Sequence, residues 1–263
     1  MRLATLHVDR QFILHDAGIL CDAGILCDPK MAPQTATSGS DSAASGPTTF
    51  DPAWFSAAFW QRHDAVVGQA PGRGTSLFVD AARIAVADEQ WVLRDYRRGG
   101  MAARLSEARY VWTGLERSRA FREMRLTATL FARGLPVPRP VAAQVTRHGV
   151  TYAAALLTVR LAGARALADC LEDNDPALLE RVGATIRRFH SAGLDHVDLN
   201  VRNLLITPDE TVWLIDLDRC RLRRPGGWQN ANLERLQRSL AKFEAEEAVP
   251  AILRGYERVV SQR

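Results

Sequence analysis

The sequence predicts an α+β fold, with an antiparallel sheet in its first half and a mainly helical second half. Three observations carry this. Up to about residue 159, short aromatic and β-branched runs alternate with glycine and proline turns. A single amphipathic helix, within "SRAFREMRLTATLFARGLPVPRP", interrupts those strands. Beyond them, apolar residues recur mostly at helical spacing. Strands first and helices later indicates segregated rather than interleaved α and β structure.

With 263 residues and 47% apolar content, the chain can bury a full core as one large domain or two lobes. Residues 1–49 read as a flexible tail outside that core. "DAGILCDAGILCD" (residues 16–28) holds a six-residue unit twice in tandem, too few copies for a solenoid. "APQTATSGSDSAASGPTT" (residues 32–49) is rich in Ser, Thr, Ala and Gly. On this reading Met31 is an alternative start. Asp9, His15, Asp16 and Asp22 interrupt any apolar run, so no secretory signal is expected.

Order is expected from Phe50, where "FDPAWFSAAFW" supplies aromatic anchors. "GQAPGRGTSLFVD" reads as strand, glycine turn and strand, and "QWVLRDY" as the next strand. In the helix, Phe121, Met124, Ala128 and Phe131 share a face, and Gly134 with Pro136 stops it. "VTYAAALLTVRL" returns to strand character and closes a region spanning residues 50–159. In residues 160–263, "PALLERVGATIRRFHSAGL" is a helix opened by Pro176 and closed by Gly193. Then come "HVDLNVRNLLI", a turn at "TPDET", the strand "VWLID" and two closing helical stretches.

No run approaches the roughly 18–20 apolar residues of a membrane span. Cys21, Cys27, Cys170 and Cys220 lack metal-type C-x-x-C spacing and read as reduced, cytosolic thiols. The net charge of +4 is carried by arginine, with Lys30 and Lys242 the sole lysines. A basic surface suits an anionic partner: phosphate, nucleic acid or an acidic membrane leaflet.

Hydrophobic packing does not require Asp198, Asn203, Asp216 and Asp218 among the apolar residues of "HVDLNVRNLLI" and "WLIDLDR". Chemistry gives them work. Mg²⁺ takes oxygen ligands, which makes Asn203 and Asp216 a suitable pair bridging to phosphate oxygens. Asp198 is then available to accept a hydroxyl proton, the division of labour of phosphoryl transfer.

His196-x-Asp198-x-x-x-x-Asn203, with Asp216 further on, resembles the catalytic loop and metal-binding Asp of the protein-kinase-like fold. Ile215-Asp216-Leu217-Asp218 in place of D-F-G is similar to the small-molecule and lipopolysaccharide kinases of that fold. "GRGTSLF", "WVLRDYRRGG", "YVWTGLERSRAFREMRL", "GLPVPRPVAA", "DLNVRNLLI" and "VWLIDLDRCRLR" together resemble the 3-deoxy-D-manno-octulosonic acid (Kdo) kinase family from Phe50 onward. The resemblance implies a bilobal kinase-like fold, with residues 50–159 binding nucleotide and residues 160–263 carrying catalysis and the acceptor. It implies ATP and Mg²⁺, and transfer to the 4-hydroxyl of Kdo on Kdo–lipid A precursor. The enzyme would act peripherally at the cytoplasmic face of the inner membrane, with no nucleic-acid partner. Asp198 would be the base, Asn203 and Asp216 the metal ligands with Asp218 helping, and His196 a structural support.

On the nucleotide side, Gly72 and Gly74 with Thr75 let backbone N–H groups approach phosphates. The following strand carries Arg94 where most kinases have lysine. Its guanidinium can hold phosphates bidentately. Glu123 is preferred over Glu116 as its partner because it lies within the amphipathic helix. Adenine is expected near "LLTVR" (residues 156–160).

Only 45 residues follow Asp218, with no A-P-E-like anchor, which favours a small or lipid-linked acceptor over a protein. Arginines at 97, 98, 117, 119, 122, 125, 219, 221, 223 and 224 suit an acceptor bearing carboxylates and phosphates. Trp112 and Trp228 are candidate membrane contacts. Two alternatives remain at this point: a heptose or aminoglycoside-type phosphotransferase, and an inactive kinase-like binding protein supported by Arg94 alone.

Overall fold

The computed structural model describes residues 1–18, 50–70, 76–96 and 110–258. The chain divides into two compact units, Met1–Phe121 with Pro140–Arg160, and Arg122–Arg139 with Leu161–Arg263.

The first unit is built on an antiparallel sheet. Its strands are β1 (Leu3–Val8), β2 (Gln11–Asp16), β3 (Val66–Ala70), β4 (Ser76–Asp80), β5 (Gln90–Asp95), β6 (Tyr110–Val111), β7 (Pro140–His148) and β8 (Thr151–Val159). Their order is β1-β2-β7-β8-β5-β4-β3, with β6 also paired to β8. A short helix α1 (Ala57–Arg62) delivers Trp60 into the core. Its indole N–H donates to the Trp54 carbonyl at 2.6 Å, and its ring meets Trp91 edge-on. Phe50, Trp54 and Phe55 complete that core, as the aromatic run predicts.

The start of the chain corrects one expectation. Residues 3–16 are not a tail: β1 and β2 form a hairpin whose second strand pairs with β7, Leu14 opposite Ala143. Asp9 turns the hairpin at φ 52°, a conformation Asp tolerates, and Ile13 and Leu14 are buried. Composition downstream had obscured a "QFILHD" strand. The tandem repeat lies almost wholly outside the described residues.

Helix α2 (Arg119–Ala132) runs from the first unit into the second, and Gly134 at φ 69° ends it as expected. In the second unit β9 (Arg165–Ala166) precedes helix α3 (Pro176–Ser191), which Asp175 caps by accepting from the Ala177 N–H at 2.9 Å. Next come β10 (Leu194–Asp195), β11 (Leu204–Ile206), β12 (Val212–Leu214) and β13 (Arg221–Leu222). Helices α4 (Trp228–Ala241) and α5 (Val249–Arg258) complete the described part. Helices α3 and α5 approach closely through Gly183 and Gly255. A Cβ on Gly183 would run into the Ile252 carbonyl, and one on Gly255 into the Glu180 carbonyl. Phe189, Val182, Ile186, Leu236 and Leu240 fill the core between the helices and the loop that follows β10.

Candidate active site

Strand β10 leads directly into the loop His196–Asn203. It pairs with β13, Asp195 opposite Arg221, so the loop starts beside the chain that follows Asp216. Within the loop Leu199 and Val201 point into the core, as does Leu204 at the start of β11, while Asp198 faces solvent. The turn is closed by amides. Asn200 Oδ1 accepts from the N–H groups of Arg202 and Asn203 at 2.9 and 3.2 Å. Asn200 Nδ2 and Asn203 Nδ2 both donate to the Asp198 carbonyl, at 2.8 and 2.9 Å. The Asp198 backbone is thereby fixed and its carboxylate projects outward. Because Asn203 uses its nitrogen inside the loop, its Oδ1 is the atom able to meet a cation.

The β11–β12 hairpin brings the second acidic segment to the same place. Leu204 pairs with Leu214, and the Ile215 N–H donates to the Asn203 carbonyl at 3.0 Å. Asp216 therefore follows immediately after the residue opposite Asn203. Its φ is 59°, a left-handed conformation that costs of order 1–2 kcal/mol outside glycine and clusters at functional positions. Both sides of it are pinned. His196 Nε2–H donates to the Ile215 carbonyl at 3.0 Å, and Leu217 is buried. Burial keeps His196 neutral by lowering its pKa, in accord with a structural role.

Among the described residues no three His, Cys, Asp or Glu groups converge as a self-sufficient metal site. Asn203 and Asp216, an amide and a carboxylate brought to one end of the β11–β12 hairpin, are donors of the kind Mg²⁺ takes together with phosphate oxygens.

A buried network supports the loop, and the sequence pattern does not single it out. Asp195, with 5% of its side chain exposed, accepts from Arg223 Nη1 at 3.0 Å, Arg221 Nε at 3.5 Å and Asn232 Nδ2 at 3.1 Å. Burial opposes ionisation of Asp195, but these donors outweigh it and hold the carboxyl below its usual range. Asn232 Oδ1 in turn accepts the His196 N–H at 2.9 Å. Farther along α4, Ser239 Oγ accepts from the Val201 N–H at 3.3 Å. One signal was available: Trp228, Asn232, Leu236 and Leu240 recur every four residues, so Asn232 is a polar residue on a buried stripe.

Glu123 lies buried on α2 in this second unit. Its charge, with those of Asp216 and Asp195, adds to burial in pushing the Cys220 thiol up to about 12. Cys220 is therefore held as a buried thiol rather than a thiolate. Arg94 stands on β5 in the first unit, opposite Leu156 of β8, and its guanidinium donates to the Tyr96 hydroxyl at 3.2 Å. Gly72, Gly74 and Thr75 lie outside the described residues, as do Arg97 and Arg98. One further expectation is corrected. Trp228 is buried, its indole N–H donating to the Arg224 carbonyl at 2.7 Å, so it is no membrane contact. Arg221 and Arg223 donate to buried Asp195 while 58% and 42% of their own side chains stay exposed. Trp112 is half-buried beneath the Arg147 guanidinium.

Comparison with known proteins adds an independent finding. Residues 57–256 match the lipopolysaccharide kinase (Kdo/WaaP) family. A 3-deoxy-D-manno-octulosonic acid kinase of Xylella fastidiosa (strain M12) is 45% identical over 212 residues, covering 80% of this chain and 81% of the relative. The protein of that description from Stenotrophomonas maltophilia (strain K279a) is 44% identical over 207 residues, 78% of this chain and 81% of its own. Its counterpart in Vibrio parahaemolyticus serotype O3:K6 (strain RIMD 2210633) is 40% identical over 190 residues, with 72% and 78% covered.

Proposed function

The chain belongs to the lipopolysaccharide kinase (Kdo/WaaP) family and is a phosphotransferase, and from that premise we propose that it transfers the γ-phosphate of ATP to the 4-hydroxyl of Kdo on Kdo–lipid A precursor. The observation that carries this reading is the single constellation of Asp198, Asn203 and Asp216, fixed by the loop amides and the β11–β12 hairpin. The relatives, named as kinases of this sugar acid, support the acceptor.

In this reading Asp198 accepts the proton of the acceptor hydroxyl as the oxygen attacks phosphorus. The amide contacts to its backbone carbonyl set where the carboxylate starts from, which would help orient the hydroxyl as well as deprotonate it. Asn203 and Asp216, with Asp218 assisting, would hold Mg²⁺, which neutralises phosphate charge when bound with the nucleotide. Gly72, Gly74, Thr75, Arg94 and Glu123 belong to the nucleotide side, Arg94 standing in for the usual lysine. The bilobal protein-kinase-like arrangement is part of the same proposal.

Action is assigned to the cytoplasmic face of the inner membrane, bound peripherally. Among the described residues no helix is long and apolar enough to cross a membrane, and the net +4 charge suits an anionic glycolipid surface.

The test is mass spectrometry of Kdo–lipid A precursor after incubation with the protein, ATP and magnesium. One added phosphoryl group, located on the 4-oxygen by fragmentation, is the expected product. An acceptor of unchanged mass, while neutral sugars or heptosides gain phosphate, would sink the assignment.

A further inference from the structure

We infer that Arg235 recognises the acceptor: its guanidinium takes the carboxylate of a sugar acid beside the hydroxyl that Asp198 deprotonates. The inference rests on the reading above and names the group by which that site selects its substrate.

The starting observation is a contact with the proposed base. Arg235 Nη1 lies 3.4 Å from Asp198 Oδ1, with 47% of the arginine side chain and 60% of the aspartate side chain exposed. A pair this open contributes little to stability. It leaves a cation at the catalytic carboxylate, accessible to a ligand. Other arginines of this unit are engaged elsewhere: Arg221 and Arg223 with buried Asp195, Arg238 with Glu234, and Arg254 and Arg258 with Glu180. Arg202, in the loop itself, lies over the Phe243 ring.

Placement on α4 sets the base of this side chain against the loop. Asn232, Arg235 and Ser239 follow at spacings of three and four, one face of a helix. All three meet the loop: Asn232 at the His196 N–H, Arg235 at the Asp198 carboxylate and Ser239 at the Val201 N–H. Two of these contacts are structural and buried or half-buried. The third ends in solvent at the reacting group.

The chemistry then selects a ligand class. A hydroxyl bound to Asp198 brings its substituents next to Arg235. Arginine has five donors in a planar fork, so it can keep Asp198 and accept a second carboxylate at once. The relatives are named for an octulosonic acid, a sugar that carries a carboxylate. A neutral sugar would leave that fork without its partner.

The experiment compares wild type, Arg235→Ala and Arg235→Lys on Kdo–lipid A precursor and on the same glycolipid with its Kdo carboxylate methyl-esterified. For wild type, esterification is expected to lower kcat/KM by roughly 10²-fold. Arg235→Ala should lose a similar factor on the acid through a raised acceptor KM, with the KM for ATP retained, and show no further loss on the ester. Arg235→Lys should recover part of the activity on the acid, and it supplies the answer if the alanine variant unfolds. An Arg235→Ala acid-to-ester ratio equal to that of wild type overturns the inference and makes the contact a surface ion pair only. Equal turnover of acid and ester by wild type overturns it too, while the kinase assignment stands. Wild type inactive on the acid removes that assignment and this inference with it.

Discussion

Buried polar side chains are divided unequally between the two compact units. Among the described residues the sheet unit buries Asp16 and Ser118, while the second unit buries Glu123, Thr127, Thr185, His190, Asp195, His196 and Asn232. The sheet unit is held by antiparallel ladders and by rings such as Trp54, Trp60 and Trp91. Its core needs shape and apolar area. The second unit has strands of two or three residues, and its key loop is shaped by side-chain hydrogen bonds. Each buried polar group costs roughly 1–3 kcal/mol when left unpaired, so a core containing several is justified by what they hold. Three of them, Asp195, His196 and Asn232, converge on the start of the loop that carries Asp198. The difference teaches that stability and positioning are supplied by different chemistry in the two units, and that each should respond to a different kind of substitution.

The largest effect is expected at the tip of the loop. Asp198→Ala should lower kcat by about 10²–10⁴-fold, the range of a lost general base. The carboxylate is exposed and its loop is closed by backbone and amide contacts, so the unfolding midpoint should stay at the wild-type value. Steady-state kinetics and urea unfolding read both. Retained turnover would mean that the buried network holds something other than a catalytic base.

Next comes an acid sensitivity that His190 gives the second unit. Burial, with the Arg187 charge adding to it, lowers the His190 pKa from 6.5 to about 4, and the ring is hydrogen-bonded with the Tyr256 hydroxyl at 2.8 Å. The unfolded chain therefore binds this proton at higher pH than the folded one. Stability is full above about pH 6.5 and is lost as pH falls towards 4, a change of about 3 kcal/mol for a shift of this size. His196 shifts in the same direction. Asp195 is held below its usual range, so its contribution disappears only at lower pH still. Urea midpoints measured across this window should fall for wild type and fall less steeply for His190→Gln. Identical slopes would show that acid sensitivity lies elsewhere.

What could be read from sequence follows the same division. That Asp198, Asn203 and Asp216 lie close together was legible because a loop and a hairpin of local spacing join them. The helices ending at Gly134 and Gly193 were legible because glycine at positive φ stops a helix wherever it occurs. Asp195 and Asn232 were not, since their contact spans 37 residues and neither has a local partner that reveals it. Arg235 was hidden for the same reason, 37 residues from Asp198. Trp228 misled because an aromatic residue beside "RRPGG" resembles an exposed anchor, whereas α4 turns it into the interior against His190. The β1–β2 hairpin was missed because its pairing with β7 crosses more than a hundred residues.

A smaller effect sharpens the positioning half of the comparison. Asn232→Ala removes an acceptor from the His196 N–H and a donor from Asp195, and should cost about 1–3 kcal/mol of stability. If the network positions the loop, kcat should also fall roughly 10-fold with the KM for ATP unchanged, because only the base is misplaced. Asn232→Asp keeps an acceptor for His196 but sets a second carboxylate against Asp195, so it should be no better than alanine. A variant that loses stability at full kcat would reduce the network to a packing role.

The smallest effect is the control on the sheet unit. Arg83 and Asp64 meet at 3.0 Å, with 47% and 98% of their side chains exposed. Solvent screens such a pair, and ordering two mobile side chains offsets most of its attraction. Arg223 and Asp195 meet at the same 3.0 Å, but the aspartate is buried. Distance alone would rank the two pairs equal. Double-mutant cycles with Asp64→Ala and Arg83→Ala, and with Asp195→Asn and Arg223→Ala, separate distance from environment. The first cycle should give no measurable coupling in the unfolding midpoint and leave turnover intact. The second should give coupling of roughly 0.5–3 kcal/mol and reduced turnover, since the freed carboxylate lies at the root of the loop that carries the proposed base. Equal couplings in the two cycles would erase the contrast, because burial would then confer nothing on the pair beneath the loop that solvent denies to the pair on the sheet.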